Sequence, residues 1–215
     1  MDVVSTTDRK ERNRALRDEL LALEAEKKRL EVATERLHQE EITRTGLRNG
    51  RFVLLGAITE MNVHNMLLKM EEFSRANPGA DIEIIVNSGG GSCFEGFALI
   101  DGIERLKRDG HRVTITGIGL VASMATVIQQ AADVRRLGKN AWYLIHEVAG
   151  SMSGTVSAQE NQQAFMRKLN GQAMSMYQAR GAKITPAVLK RKTKNADWYL
   201  TAEEALASGF VDEVI

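Results

Sequence analysis

Three places in the 215-residue chain carry residue types that could do chemistry. The first is Ser123, in "GIGLVASMATVIQQAA" (117–132), between a glycine-rich approach and an apolar stretch of helical character. A serine there has two uses. It can cap the helix, its hydroxyl accepting one of the first unpaired N–H groups, which is the commoner role. It can also attack a carbonyl, because the N–H of Met124, at the positive end of the following helix, would meet the oxyanion that forms. The second place is "IVNSGGGS", where Gly89, Gly90 and Gly91 follow a strand directly. Glycine lets backbone amides turn toward a ligand and keeps side chains out of its path. A plain turn explains three glycines as well. No GxxxxGK[ST] phosphate loop is present, and the serine does not sit in GxSxG.

The third place is a base, sought among four histidines. His38 lies in a charged N-terminal segment. His64, beside Val63 on an amphipathic helix, suits a satisfied structural role. His111, in the turn "RDGHR", is at the wrong end of its strand. His146 closes the apolar strand "WYLIH" at the carboxyl edge, where Ser123 is also expected. Open α/β sheets gather their sites beyond that edge. A serine–histidine pair needs a carboxylate to hold the ring's tautomer and stabilise imidazolium. Glu147 would point to the opposite face of the strand. Asp197, in "NADWYLTAEEA", precedes a short strand and is better placed, with a surface aspartate paired to Lys192 or Lys194 as the plainer alternative.

These residues are positioned by alternating elements. "RFVLLG", "DIEIIVN", "HRVTITGIG" and "RRLGKNAWYLIHEV" read as strands. "NVHNMLLKMEEFSRA", "FEGFALIDGIERLKRD" and "VSAQENQQAFMRKLNGQAMSMYQARG" read as helices. The tail gives a short helix from Pro186, the strand "WYL", the helix "AEEALASG" and a last strand "FVDEVI". Strands alternating with helices predict an α/β fold of βαβ crossovers.

The first 45 residues differ. "TTDRKERNRALRDELLALEAEKKRLEVATERLHQEE" holds no Gly or Pro and predicts one helix over 7–42, opening at Ser5–Thr7. Leu16, Leu20, Leu23, Leu30 and Leu37 follow a four–three spacing, but Lys27, Thr34 and Glu41 fill the other seam positions. The seam is half-filled, as in a weak coiled-coil arm. "TGLRNG" (45–50) marks the boundary between this arm (1–45) and a domain over 46–215.

Lys and Arg total 29 against 28 Asp and Glu, so no global field points to nucleic acid or an anionic membrane. No apolar run reaches the roughly 18 residues of a membrane span. One cysteine, Cys93, excludes an intrachain disulfide framework and a zinc cluster. The expected setting is cytoplasmic and reducing, with no metal.

"VNSGGGSCFEG", "GIGLVASMAT", "YLIHEVAGSMSG" and "DWYLTAEEALASGFVDEV", in this order, resemble the Clp protease proteolytic subunit family, the ClpP-like serine peptidases, from about Gly46 to the C-terminus. The resemblance implies a crotonase-like fold with a long handle helix near 155–180 and "GSMSG" as a strand region leading into it. It implies Ser123 as nucleophile, His146 as general base and Asp197 as orienting carboxylate. The oxyanion hole falls on the amides of Gly91 and Met124, and the substrate-binding loop on Gly89, Gly90 and Ser92. It further implies an unfolded or extended polypeptide substrate, no cofactor, and homo-oligomers of seven-membered rings that can stack in pairs as a tetradecamer. An AAA+ unfoldase is a candidate partner. The family's N-S-P-G-G reads Asn87-Ser88-Gly89-Gly90-Gly91 here. Ala125 replaces the glycine after A-S-M, and the helical arm stands where the family has a short axial loop. Alternatives are a phage-type capsid-maturation relative acting without an ATPase, a crotonase-like acyl-CoA enzyme, and a non-catalytic assembly protein.

Overall fold

The computed structural model describes residues 16–17, 19–34 and 49–215, and the chain divides into two compact units, Met1–Thr45 and Gly46–Ile215. In the first unit, residues 16–17 and 19–34 are helical, and Leu16, Leu20, Leu23 and Leu30 are each more than half exposed. Lys27 and Glu31 pair at 3.8 Å one turn apart, a surface contact of a few tenths of a kcal/mol. The predicted helix start, His38, Leu37 and Glu41 lie outside the described residues.

The second unit is built on a seven-stranded sheet. Its strands are β1 (Arg51–Leu55), β2 (Ile82–Ser88), β3 (Val113–Ala122), β4 (Val134–Leu137), β5 (Trp142–Ile145), β6 (Trp198–Leu200) and β7 (Glu213–Val214). The helices are α1 (Glu60–Ala76), α2 (Cys93–Arg108), α3 (Met124–Gln129), α4 (Val156–Ala179), α5 (Pro186–Thr193) and α6 (Ala202–Ala207). The order β1-β2-β3-β4-β7 is parallel throughout, β5 also runs parallel to β3, and β6 pairs antiparallel with β5. This is the mixed α/β architecture that the alternation of patterns predicts.

Strand burial alternates. Ile82, Ile84 and Val86 of β2 are essentially inaccessible, while Glu83 on the other face bonds Arg51 and Thr116. Parallel sheets covered on both faces read as continuous apolar runs, so this alternation marks a sheet with one deeper face. Against it lie Val63, Met66, Met70 and Phe73 of α1 and Leu99, Ile100, Ile103 and Leu106 of α2.

Strand β3 decides where the site lies. From Val86 to Ser88 strand β2 advances two residues, while its partners on β3 advance four, from Gly117 to Val121. The excess forms a bulge. Gly119 takes φ +60° there, and the Asn87 side chain accepts the Leu120 N–H at 3.1 Å in place of a ladder partner. Before the bulge β3 pairs with β4; after it, Leu120–Ala122 pair with β5. Bulges re-aim a strand, and this one carries its end toward His146.

Two expectations are corrected. "GSMSG" forms no strand: it has no strand beside it, and the Gln162 side chain instead binds both main-chain groups of Ser153 at 3.3 Å. The predicted last strand shrinks to Glu213–Val214, because Phe210 and Val211 turn into the core.

Candidate active site

Strand β3 ends at Ala122, and the Ser123 N–H donates to the Leu144 carbonyl of β5 at 2.9 Å. Ser123 has φ 55° and ψ −127°, a backbone conformation that a residue with a Cβ adopts only under strain. Such positions cost of order 1–3 kcal/mol and gather at functional sites. The capping role is overturned. Thr59, Ser92, Thr155, Thr185 and Thr201 each accept a backbone N–H three residues on, at 3.2–3.3 Å, and Ser123 makes no such bond. Its strained φ turns the hydroxyl away from the helix it precedes.

The glycine loop is held against this serine. Ile58 donates to the Gly90 carbonyl and accepts from the Ser92 N–H, at 2.9 and 3.0 Å. In a parallel bridge of this kind, the main-chain groups of Gly91 face the other way. Two glycines are sterically required. A Cβ on Gly90 would lie 2.6 Å from Ser123 Cβ, and one on Gly91 would lie 2.3 Å from the Ile58 carbonyl oxygen. Gly89 has no such need: a Cβ there meets nothing within 4 Å, and its φ is not left-handed. The Ser92 hydroxyl caps α2.

Ser123, Gly91, Met124 and His146 line one cavity of about 80 Å³, with Cys93 and Tyr177. That is room for one or two waters or a substrate carbonyl. The Gly91 and Met124 N–H groups donate to no described residue. Two amides therefore stand uncommitted beside a hydroxyl, where donors would serve a developing negative charge. No carboxylate lines the cavity. Burial pushes the Cys93 thiol above its usual range, so it is protonated at neutral pH.

His146 Nδ1 lies 2.6 Å from the Glu147 carbonyl oxygen. A carbonyl only accepts, so Nδ1 carries the proton, and Nε2 of the neutral ring is left as the acceptor. No hydrogen bond joins His146 to Ser123. Asp197 is exposed and bonds no described residue, neither Lys192 nor Lys194 included; Lys192 Nζ instead lies 5.6 Å over the Trp198 ring. Asp197 is nonetheless near. Ile145 pairs with Trp198 across the antiparallel β5–β6 ladder, so His146 and Asp197 are one step beyond the last registered pair.

The other histidines differ from this one. His64 is exposed and hydrogen-bonds nothing described, contrary to the structural role expected of it: it faces away from the apolar side of α1. His111 is buried, with Ser74 Oγ 2.7 Å from Nε2 and the Ala80 carbonyl 2.7 Å from Nδ1. That Ser–His contact ties α1 to the start of β3.

The Glu147 carbonyl is not legible in the sequence, because a main-chain acceptor carries no residue-type signal. Nor are Thr126 and Tyr177, whose types are ordinary in a helix and which only the fold brings together. Among the described residues no helix is long and apolar enough to cross a membrane, and no three acidic, histidine or cysteine side chains cluster to hold a metal.

The Clp protease family model matches residues 34–215. The ATP-dependent Clp protease proteolytic subunit 2 of Tropheryma whipplei (strain Twist) is 29% identical over 167 residues, covering 76% of this chain and 90% of the relative. The ATP-dependent Clp protease proteolytic subunit of Streptococcus equi subsp. equi (strain 4047) is 30% identical over 174 residues, covering 79% and 86%.

Proposed function

The chain belongs to the Clp protease family, and from that premise we propose that it is a serine endopeptidase with Ser123 as nucleophile, His146 as general base and Asp197 as the carboxylate that orients it. His146 Nε2 takes the Ser123 proton as Oγ attacks a peptide carbonyl, then delivers it to the leaving amine. The Gly91 and Met124 amides receive the oxyanion; losing one such donor typically costs about 10²–10³ in rate. Water then repeats the sequence on the acyl-enzyme. No step requires a metal or an organic cofactor. Extended polypeptide adds along the edge of the 88–92 segment that Ile58 leaves open, through backbone bonds that select weakly for sequence.

The observation that carries this reading is Ser123 itself: strained, without a capping bond, and sharing one cavity with Gly91 and Met124, whose amides are uncommitted. The resting arrangement adds one condition. His146 Nδ1 must exchange the Glu147 carbonyl for the Asp197 carboxylate, and the β5–β6 register keeps that exchange local. A crotonase-like acyl-CoA enzyme would want carboxylate acid–bases in the cavity, and none lines it. A non-catalytic assembly protein gives no reason to maintain strain at one serine.

We assign the oligomeric chamber to the same reading. The first three turns of α4 are exposed, with Val156 74% and Phe165 46% accessible, and such apolar surface on a projecting helix suits contact with further copies. We extend the same reading to an AAA+ partner, and relatives that are ATP-dependent by name support it.

A serine-directed fluorophosphonate tests the proposal. The wild-type chain is expected to label at Ser123 and to cleave unfolded casein, and Ser123→Ala to do neither. Casein cleavage that survives Ser123→Ala overturns the assignment.

A further inference from the structure

The carbonyl of Ser123 is held from below by an arrangement that the peptidase chemistry does not itself require. It accepts the Thr126 N–H at 3.0 Å and the Thr126 Oγ1–H at 2.5 Å. Thr126 Oγ1 also contacts the Tyr177 hydroxyl of α4 at 2.6 Å, 51 residues away in the chain. Thr126 and Tyr177 are buried, at 0% and 1% exposure, so water does not compete. The proton order follows. A carbonyl cannot donate, so the single Thr126 hydroxyl proton goes to Ser123, and Tyr177 must donate to Thr126. Burial holds the Tyr177 phenol far above its ordinary pKa, so it stays a donor throughout the working pH range. Donors that polarise one another in series strengthen each bond.

The peptide group is planar and trans, so the carbonyl of Ser123 and the N–H of Met124 point in opposite directions from one rigid plate. Fixing the oxygen fixes the amide. That amide is the one that donates to no described residue, and Met124 lines the cavity. Thr126 is itself restrained: Tyr143 and Gln130 donate to its carbonyl at 3.2 and 3.0 Å. On α4, Tyr177 ends the stripe Leu169, Ala173, Tyr177, the fully buried residues of this helix.

We propose that Tyr177 and Thr126 are positioning residues, a two-hydroxyl relay through which α4 aims the Met124 amide at the oxyanion. The proposal rests on the reading of Ser123 as nucleophile. It makes the pose of α4 a determinant of the chemical step, with neither hydroxyl touching substrate.

The test uses the full chain, a fluorogenic peptide, and rates normalised to the subunits that label with fluorophosphonate, so that unfolded protein does not count as lost rate. Thr126→Val removes the hydroxyl at nearly constant shape, Tyr177→Phe removes the other, and Thr126→Ser keeps a hydroxyl. Loosening an amide should cost less than the ~10²–10³ of deleting one. Thr126→Val and Tyr177→Phe are each expected to lower kcat about tenfold with KM within a factor of two. The double variant should be no worse than either single one, and Thr126→Ser should keep most of the wild-type kcat. Unchanged kcat per labelled site in both single variants overturns the relay, whatever their melting temperatures do. So does a Thr126→Ser as damaged as Thr126→Val, or a double variant whose losses multiply. A wild-type chain that neither labels nor cleaves would instead remove the nucleophile reading beneath it.

Discussion

At Ser123 a side chain occupies backbone space that glycine would fill without strain, and this gives a prediction at the residue scale. Ser123→Gly should melt higher than Ser123→Ala, by the equivalent of about 1 kcal/mol, since strain of order 1–3 kcal/mol is relieved while glycine loses roughly 0.5–1 kcal/mol of chain entropy. Calorimetry on the two variants checks it; equal melting temperatures would remove the strain argument. The neighbouring glycines divide the same way. Gly90→Ala forces a Cβ to within 2.6 Å of Ser123 Cβ and should abolish labelling. Gly89→Ala should be active and gain about 0.4–1 kcal/mol through the unfolded state. Ser123, His146 and the glycine loop were legible as types at the ends of strands. What the sequence could not show was that Ser123 declines to cap. Five of the six labelled helices among the described residues of 46–215 open on a Ser or Thr that does cap, and nothing in "VASMAT" separates the sixth until its φ is known.

At the scale of elements, the β3 bulge joins three sequence signals that looked separate: "GIG", "VNS" and the serine that follows. Gly119 supplies the left-handed turn, Asn87 supplies the missing acceptor, and the strand then crosses from β4 to β5. Asn87→Ala should cost about 1 kcal/mol, the net worth of an ordinary hydrogen bond. It should also lower kcat more than KM, since the bulge aims Ser123; urea titration and peptide kinetics measure both. Hydrophobic period revealed nearly every helix and strand, because each buries a regular face. It failed where a main-chain partner rather than burial decides. The 150–154 segment has no strand beside it, and β7 keeps only two residues of the predicted strand "FVDEVI".

At the scale of the whole molecule, the C-terminal segment is tied to the end of α3 by a buried cation. Arg135, 4% exposed, forms bonds of 3.0 and 2.5 Å to the two Asp212 carboxylate oxygens and others to Gln130 and the Gly209 carbonyl. Burial alone would raise the Asp212 pKa, but the hydrogen bonds and charge of Arg135 bring it below the usual carboxylate range. A carboxyl depressed on folding stabilises fully above its unfolded value, about 3.9, and that stability is lost as pH falls through the lower native value. Asp212→Asn should therefore flatten the acid limb of a melting-temperature profile below about pH 4 and lower the plateau above it. The arm is tested at this scale too. Deleting residues 1–44 should change cleavage of folded proteins more than of short peptides if the arm governs entry, and equal rates on both would exclude that role.

The β5–β6 ladder stops one rung short of His146 and Asp197. Closing that rung gives up the Nδ1–Glu147 carbonyl bond, worth about 0.5–1.5 kcal/mol, and gains one charge-assisted bond of about 1.5–3 kcal/mol. The two ranges meet, so the open and zipped forms sit close to balance. A modest push from a neighbouring subunit or an arriving chain is enough to tip such a hinge. On the proposed reading, the isolated protomer idles, and company switches it on.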